Sequence, residues 1–279
     1  MAAIVHPENQ LPNAGSRIRF KGAAARQRQT EKRNRTLLHL LHWHYLNVYV
    51  LMALLEVKES AAEETLTDLI KAGLLQTIPT SASAGRVAML TPAGYEVASQ
   101  FFTAEQAEVK VPVHPSRVRV DLINHNLIVQ RSALDLRLSA IHDSGWDEGE
   151  VVIAPASHIQ KHRFQPGDNI PDAQVWVAGH PPHEIEVQET YSQSFPRRLS
   201  RIAERINSGE VDACCIVSTN KSLLAHYEDI TKHRLKRWFY SSGQKRWYEE
   251  RDSRSPYGAM TEGRIYFKLV EERRRFYRF

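Results

Sequence analysis

The stretch 170–190, IPDAQVWVAGHPPHEIEVQET, decides how this chain is read. Pro171-Asp172 opens a β-rich piece, AQVWVA at 173–178. Gly179-His180-Pro181-Pro182 forms a tip that turns the chain back. A second β-rich piece, HEIEVQ at 183–188, then alternates. Successive strand side chains point to opposite faces, so His183, Ile185 and Val187 share one face and Glu184, Glu186 and Gln188 the other. Three polar residues on one face of a central strand cost free energy unless they meet solvent, a metal or a partner. Asp172, at the start of the neighbouring strand, is placed to lie beside Glu186. Two converging carboxylates form an oxygen donor set for Mg²⁺ or Mn²⁺. Such an ion lowers the pKa of a bound water and stabilises the charge that builds on a scissile phosphate. A second frame stays open, with Glu184 as metal ligand and Glu186 as second acid; in the preferred frame, Asp172 with Glu186, Glu184 is a third candidate ligand.

The flanks supply the rest of this half. Residues 117–140 carry Leu122, Leu127, Ile128, Leu134 and Leu138 at helical spacing, which predicts one long amphipathic helix. EVVIA at 150–154 reads as a strand, 195–207 as a helix stopped at Gly209, DACCIV at 212–217 as a buried strand, and 221–237 as another helix. The predicted order is α-β-β-β-α-β. Residues 103–116, closed by two prolines, read as a linker.

Ahead of the linker, helices are predicted over 30–45, 47–54 and 60–72. Ser60 with Glu63 fits a capping box, and Gly73 fits the left-handed position after a helix. Two β-rich pieces, 74–78 and 86–91, flank a small polar tip containing SASAG, and Thr91-Pro92 opens a further helix. This is the order of a winged helix-turn-helix, whose third helix enters the major groove and whose hairpin touches the backbone or minor groove. KAGLLQTI…VAMLTPAGYEVA resembles winged-helix families over roughly 30–102. The third helix carries Glu63, Glu64 and Asp68 with Lys71 as its base. DNA affinity would then come from the basic arm and other surfaces.

The pattern PD…E-x-[K/Q] on an αβββαβ core resembles the restriction-endonuclease-like superfamily, named for its PD-(D/E)xK motif. A winged helix followed by that core more narrowly resembles the replication-relaxation family, which includes the MobC-type relaxases of mobilisable plasmids. The residues that carry the likeness are Pro171-Asp172-Ala173, Glu186-Val187-Gln188 and Thr190-Tyr191-Ser192 ahead of a basic helix. The resemblance implies a fold of class α+β or α/β: an N-terminal winged helix-turn-helix, then a restriction-endonuclease-like αβββαβ core. It implies a DNA relaxase that nicks one strand at a plasmid origin of transfer. Asp172 and Glu186 would hold Mg²⁺ or Mn²⁺, and Gln188 and Glu184 would complete the catalytic set. Gln188 departs from the superfamily lysine, which would orient or deprotonate the attacking water. That departure keeps open a catalytically inactive mobilisation-accessory or plasmid replication protein; a restriction or repair nuclease is a further alternative. Arg197 and Arg198 on the next helix are placed to stabilise charge on the phosphate. His125, at the start of the helix before the strands, is similar to a polar site-lining residue of related cores. Tyr191 is a candidate to line the site; a nucleophilic role would call for a histidine-held metal, and no histidine cluster stands beside it.

The bulk numbers agree with a DNA partner. The 279 residues are 42% hydrophobic and 25% charged with a net charge of +5, enough for two packed domains. Expected boundaries are a flexible basic arm at 1–29, the winged helix at 30–102 and the nuclease domain at 117–279. Residues 16–35 hold eight Lys/Arg against one acid, and 232–279 hold fourteen against six; 36–231 hold fifteen against twenty-four. An acidic middle between basic ends points to a polyanion. Arg17, Arg19, Lys21, Arg26 and Arg28 of the arm are candidate DNA contacts, with Lys71, Arg86, Arg197, Arg198, Lys236, Arg237 and Trp238. The C-terminal segment and the terminal ERRRFYRF interleave bases with aromatics, a mixture suited to single-stranded DNA. Expected partners are the origin-of-transfer duplex, its separated strand, and accessory mobilisation or coupling proteins. Cys214 and Cys215 are adjacent in an apolar run and read as core thiols of a reducing compartment. His39, His42 and His44 do not share one helix face cleanly, which argues against zinc; His180 and His183 flank an exposed tip. With neither a secretory signal at the start nor a run of eighteen apolar residues, a cytoplasmic location without a membrane segment is expected.

Overall fold

A computed structural model describes residues 22–79, 85–101, 122–159, 164, 170–244, 246–250 and 263–270. The candidate contacts Arg17, Arg19 and Lys21, the SASA of the hairpin tip, the 103–116 linker and the terminal ERRRFYRF lie outside these residues. The chain is a mixed α+β protein, with seven α-helices and a five-stranded mixed sheet among the described residues.

Helices α1 (Ala23–Trp43), α2 (Val48–Leu55) and α3 (Glu59–Lys71) come first, with a short strand β1 (Tyr45–Asn47) between α1 and α2. Helix α1 starts seven residues before the predicted position, so the expected boundary at residue 29/30 falls inside a helix. Its first turns are exposed or half-buried, three alanines followed by polar residues with no apolar period, and only the later turns bury Leu37, Leu40 and Leu41. The expected capping box at Ser60 does not form. Helix α3 begins at Glu59 behind Lys58, which makes no side-chain cap, and Ser60 lies inside the first turn. Strands β2 (Leu75–Ile78) and β3 (Val87–Leu90) pair antiparallel, and β1 joins β3 on its other edge. Helix α4 (Pro92–Ser99) starts as predicted, with Thr91 Oγ1 accepting from Gly94 N at 3.0 Å and donating to Gly73 O at 2.7 Å.

Helix α5 (Ile123–His142) joins the two halves. The sequence predicted one apolar stripe, but both sides of this helix are buried. Ile123, Leu127 and Leu134 pack into the core of α1–α4. Val129 and Ala133 pack on the large sheet. Leu122, counted in the predicted stripe, is about half exposed just before the helix. Between the two apolar sides, Gln130 is fully buried and donates to Tyr45 O at 3.0 Å, while its Oε1 meets His39 Nε2 at 2.8 Å. Asn126 Nδ2 donates to the Tyr45 hydroxyl, and Arg131 donates to Tyr49 O at 2.9 Å.

The large sheet has the order β10-β7-β6-β5-β4. Strand β5 (Ala173–Val177) runs antiparallel to both β4 (Val151–Pro155) and β6 (His183–Val187). Strands β6, β7 (Ala213–Ser218) and β10 (Ile265–Leu269) run parallel. Helix α5 covers one face, and α6 (Phe195–Asn207) and α7 (Lys221–Asp229) build a core on the other. Cys214 belongs to the α6 side and Cys215 to the α5 side, as adjacent strand residues must. The predicted helix over 221–237 is too long: α7 ends at Asp229, a π-helical turn runs from Ile230 to Arg234, and Trp238 begins a strand. Strands β8 (Trp238–Ser241) and β9 (Arg246–Glu249) form a separate antiparallel hairpin. Neither this hairpin nor β10 was expected, because the interleaved bases and aromatics of this segment read as a surface for single-stranded DNA.

Two outcomes test this packing. A Cβ on Gly94 would stand 1.9 Å from the backbone oxygen of Leu74, so Gly94→Ala is expected to cost roughly 2–4 kcal/mol, read by urea denaturation. Burial holds the His39 pKa down to about 4, against the opposing hydrogen bond to Gln130 and with help from His42. The unfolded chain therefore binds a proton there that the folded chain refuses between pH 6.5 and about 4. Stability should fall as pH drops through that window, and His39→Gln should flatten the slope.

Candidate functional site

Strand β6 carries the site. Its polar face is buried, not solvated: Glu184, Glu186 and Gln188 are all under one-tenth exposed. That face looks toward α6, where Arg198 and Arg205 stand seven residues apart, about 10 Å along the helix. Arg205 grips Glu184 through two bonds of 2.7 and 2.6 Å, and Gln174 Nε2 donates to the same carboxylate at 3.0 Å. Burial pushes the Glu184 carboxyl up despite Arg205 and Gln174. These contacts place Glu184 in a structural ion pair. The frame that makes Glu184 a metal ligand is therefore corrected, because its oxygens already face Arg205 and Gln174.

Asp172 and Glu186 are brought together as the sequence predicts. The register pairs Ala173 with Ile185 and Gln174 with Glu184 across antiparallel strands. Asp172 stands just before β5, near enough to Glu186 for its charge to bear on that carboxyl. Asp172 N donates to Ile185 O at 3.0 Å, and Asp172 Oδ2 accepts from Val187 N at 2.8 Å. His125 Nε2 lies 3.1 Å from Asp172 Oδ1. Burial opposes charge on His125, but the hydrogen bond to Asp172 and the charges of Asp172 and Glu189 more than offset it, so its pKa is raised. Glu186 is pushed well up, first by burial and then by the neighbouring Asp172, against Arg198. Arg198 reaches Glu186 Oε2 at 3.4 Å, a long contact.

The donor set fits a hydrated divalent ion better than a closed cage. Among the described residues no group of three or more His, Cys, Asp or Glu gathers around one point. Mg²⁺ is commonly held by one or two carboxylates with waters and substrate phosphates. A desolvated Glu186 beside Asp172 is a pair that a cation would relieve. Gln188 continues the same face past Val187; its amide can hold a water but cannot accept its proton at neutral pH.

The other candidate residues are dispersed. Tyr191 is exposed on the loop after β6, near Tyr227 and His226. The guanidinium groups of Arg197 and Arg201 both lie over the Trp247 ring, at 5.4 and 5.2 Å, which docks the β8–β9 hairpin on α6. Lys236 pairs with Glu249, and Arg237 Nε meets Glu204 at 3.3 Å. Arg86 is bonded to Glu63 at 2.9 Å and Thr67 at 3.0 Å, tying the hairpin to α3. Arg26, Lys71 and Trp238 are exposed or half-buried, as is Arg28. The His180 and Trp146 rings meet edge to face, and His183 bonds Asp212 at 2.7 Å. His42 and His158 rings meet edge to face.

Two residues that matter were not singled out. Arg205 was legible, since acids two apart on a strand and arginines seven apart on the next helix can align. Glu189 was not: its carboxylate accepts from Thr219 N at 3.0 Å and contacts Ser218, ordering the turn after β7 beside the site. A cavity of about 580 Å³ opens on the same sheet face, lined by Trp176, Phe164, Gln174, Glu184 and Arg205.

Comparison with models of known protein families, with curated proteins and with solved structures gives no match.

The pair makes a prediction of its own. In metal-free protein, the folded chain keeps a proton on Glu186 that the unfolded chain has released above its ordinary value near 4.5. Stability therefore falls as pH climbs through the window between that value and the raised one. Glu186→Gln in EDTA should raise the melting temperature at neutral pH by a few degrees, about 1 kcal/mol, and remove this pH dependence.

Proposed function

We propose that the chain is a DNA-binding protein that cuts one strand of DNA by metal-assisted attack on a phosphodiester. The observation that carries this reading is the Asp172–Glu186 pair: the Asp172 carboxylate accepts from Val187 N, next in the chain to a buried Glu186 on which its charge bears. In this reading α1–α4 with the β1-β3-β2 sheet is a winged helix-turn-helix, and the sheet flanked by α5 and α6 is a restriction-endonuclease-like core. The narrower assignment, a relaxase at a plasmid origin of transfer, rests on the resemblance of PDA, EVQ and TYS to the replication-relaxation family.

The chain's own residues divide the work. His125 and Val187 N hold the Asp172 carboxylate in one orientation. Burial against α6 keeps Glu186 dry, which strengthens any charge interaction made there. Arg198, at the open side of the pair, is placed to meet a phosphate oxygen as charge develops on it. Gln188 offers an amide to orient the attacking water. A Mg²⁺ or Mn²⁺ bound by Asp172 and Glu186 would supply Lewis-acid activation of that water. The exposed start of α1, with Arg26 and Arg28, and the basic β8–β9 hairpin extend the surface for the DNA backbone.

A second reading has a specific observation behind it. Gln188 stands where the superfamily carries a lysine, and among the described residues no third carboxylate joins the pair. Both suit an accessory protein that binds DNA without cutting it.

Supercoiled plasmid carrying the cognate mobilisation region, incubated with protein and Mg²⁺ or Mn²⁺, separates the two. Metal-dependent open-circular product is expected. Asp172→Ala and Glu186→Ala should each lower its rate by at least about 100-fold, and His125→Ala and Arg198→Ala by about 10- to 100-fold. Shifted but uncut DNA with every protein would leave only the accessory role.

A further inference from the structure

We propose that Tyr191 is a stacking platform for an unpaired base of the strand held at Asp172 and Glu186, so that the site takes single-stranded or locally melted DNA. This rests on the reading of the carboxylate pair as a nuclease site.

Tyr191 is 61% exposed, and it is the one aromatic among the large exposed hydrophobic residues of the described chain. An isolated exposed ring needs no explanation by itself. This ring, however, is braced from behind. Tyr227 lies parallel to it, 10° between planes and 6.5 Å between centroids, and His226 stands 5.7 Å away. Tyr227 is fully buried and packs on Phe195 at 4.3 Å. Its hydroxyl accepts from Ser192 N at 3.0 Å, which fixes the backbone next to Tyr191. The tyrosine is thus presented to solvent on a rigid support, with little rotamer freedom left to lose when a partner lies on its open face.

Its place in the fold says what that partner is. The loop that bears Tyr191 leaves the end of β6 where Asp172 and Glu186 meet, three residues past Gln188. Helix α6 begins four residues later and brings Arg198 to Glu186; the charge of Arg198 also bears on Tyr227. A flat apolar ring, a guanidinium and a carboxylate pair therefore share one end of the sheet. A nucleotide matches that set, with its phosphate toward Arg198 and the pair and its base on the ring. In duplex DNA the base faces are covered by their neighbours, so the ring selects a strand that is already unpaired or can be opened.

The test uses the full chain in EDTA, so that nothing is cut. Anisotropy of labelled dT20 measures single-strand binding, and a labelled 20-base-pair duplex serves as comparison. Tyr191→Ala should weaken dT20 binding by roughly 5- to 150-fold, the range for loss of one base stack. Tyr191→Phe and Tyr191→Trp should stay within about twofold of the parent, and duplex affinity should not move. A dT20 carrying 5-iodouracil should photocrosslink to Tyr191 in the unaltered protein, mapped by mass spectrometry, which keeps the test valid if the alanine variant folds poorly. Unchanged dT20 affinity in a folded Tyr191→Ala protein, or crosslinks that avoid Tyr191, would overturn the platform. So would a Tyr191→Phe loss as large as that of alanine, because the hydroxyl and not the ring would then matter. Nicking that fails while Tyr191-dependent dT20 binding persists removes the nuclease reading and leaves the platform. Nicking that succeeds with Tyr191-independent binding removes the platform alone.

Discussion

The burial of an acidic strand face organises this molecule. Strand β6 sits between β5 and β7 and presents Glu184 and Glu186 to the core on one side. A buried carboxylate without a partner costs several kcal/mol, so the neighbouring layer has to supply cations in register. Helix α6 does so with Arg205 and Arg198, whose seven-residue spacing keeps both on one helix face. The two pairs are unequal. Glu184 is held by two short bonds and by Gln174, whereas Glu186 meets Arg198 at 3.4 Å. One acid is thereby held in a close ion pair, and the other keeps a longer contact to Arg198 beside the like charge of Asp172.

Helix α5 supplies the second organising element. It carries apolar residues on two sides, one buried among α1–α4 and one on the large sheet. The buried His39–Gln130–Tyr45 network lies at this junction and fixes the rotation of the helix. That rotation also brings His125, in the first turn of α5, to the Asp172 carboxylate. The packing of the N-terminal helices and the orientation of a candidate catalytic acid are in this way set by the same helix.

The basic C-terminal region shows how charge can mislead as a guide to free contact surface. Lys236 and Arg237 are paired with Glu249 and Glu204, and Arg197 and Arg201 lie over Trp247. Part of the positive charge counted in the sequence therefore holds the β8–β9 hairpin on α6. Salt would act on this docking as well as on any bound polyanion.

The sequence by itself determined the alternation on β6, the turn before it, the strand–helix order from α5 to α7 and the pairing of Asp172 with Glu186. These are local patterns: a period of two, a proline-glycine tip, and a register fixed by a short hairpin. Helix α3 and its Gly73 stop, and the Thr91-Pro92 start of α4, were legible for the same reason. Only the tertiary structure decided which acid is held by the closer ion pair. Glu184 and Glu186 look alike in sequence, and the difference between them is Arg205 on α6 and Gln174 and Asp172 in or just before β5. It also decided the two-sided burial of α5, where α1 begins, and the strands after α7, because what each of these packs against lies elsewhere in the chain. Pattern reports which face of an element is buried; what that face meets depends on residues far away in the chain, and so does the state of charge of each group upon it.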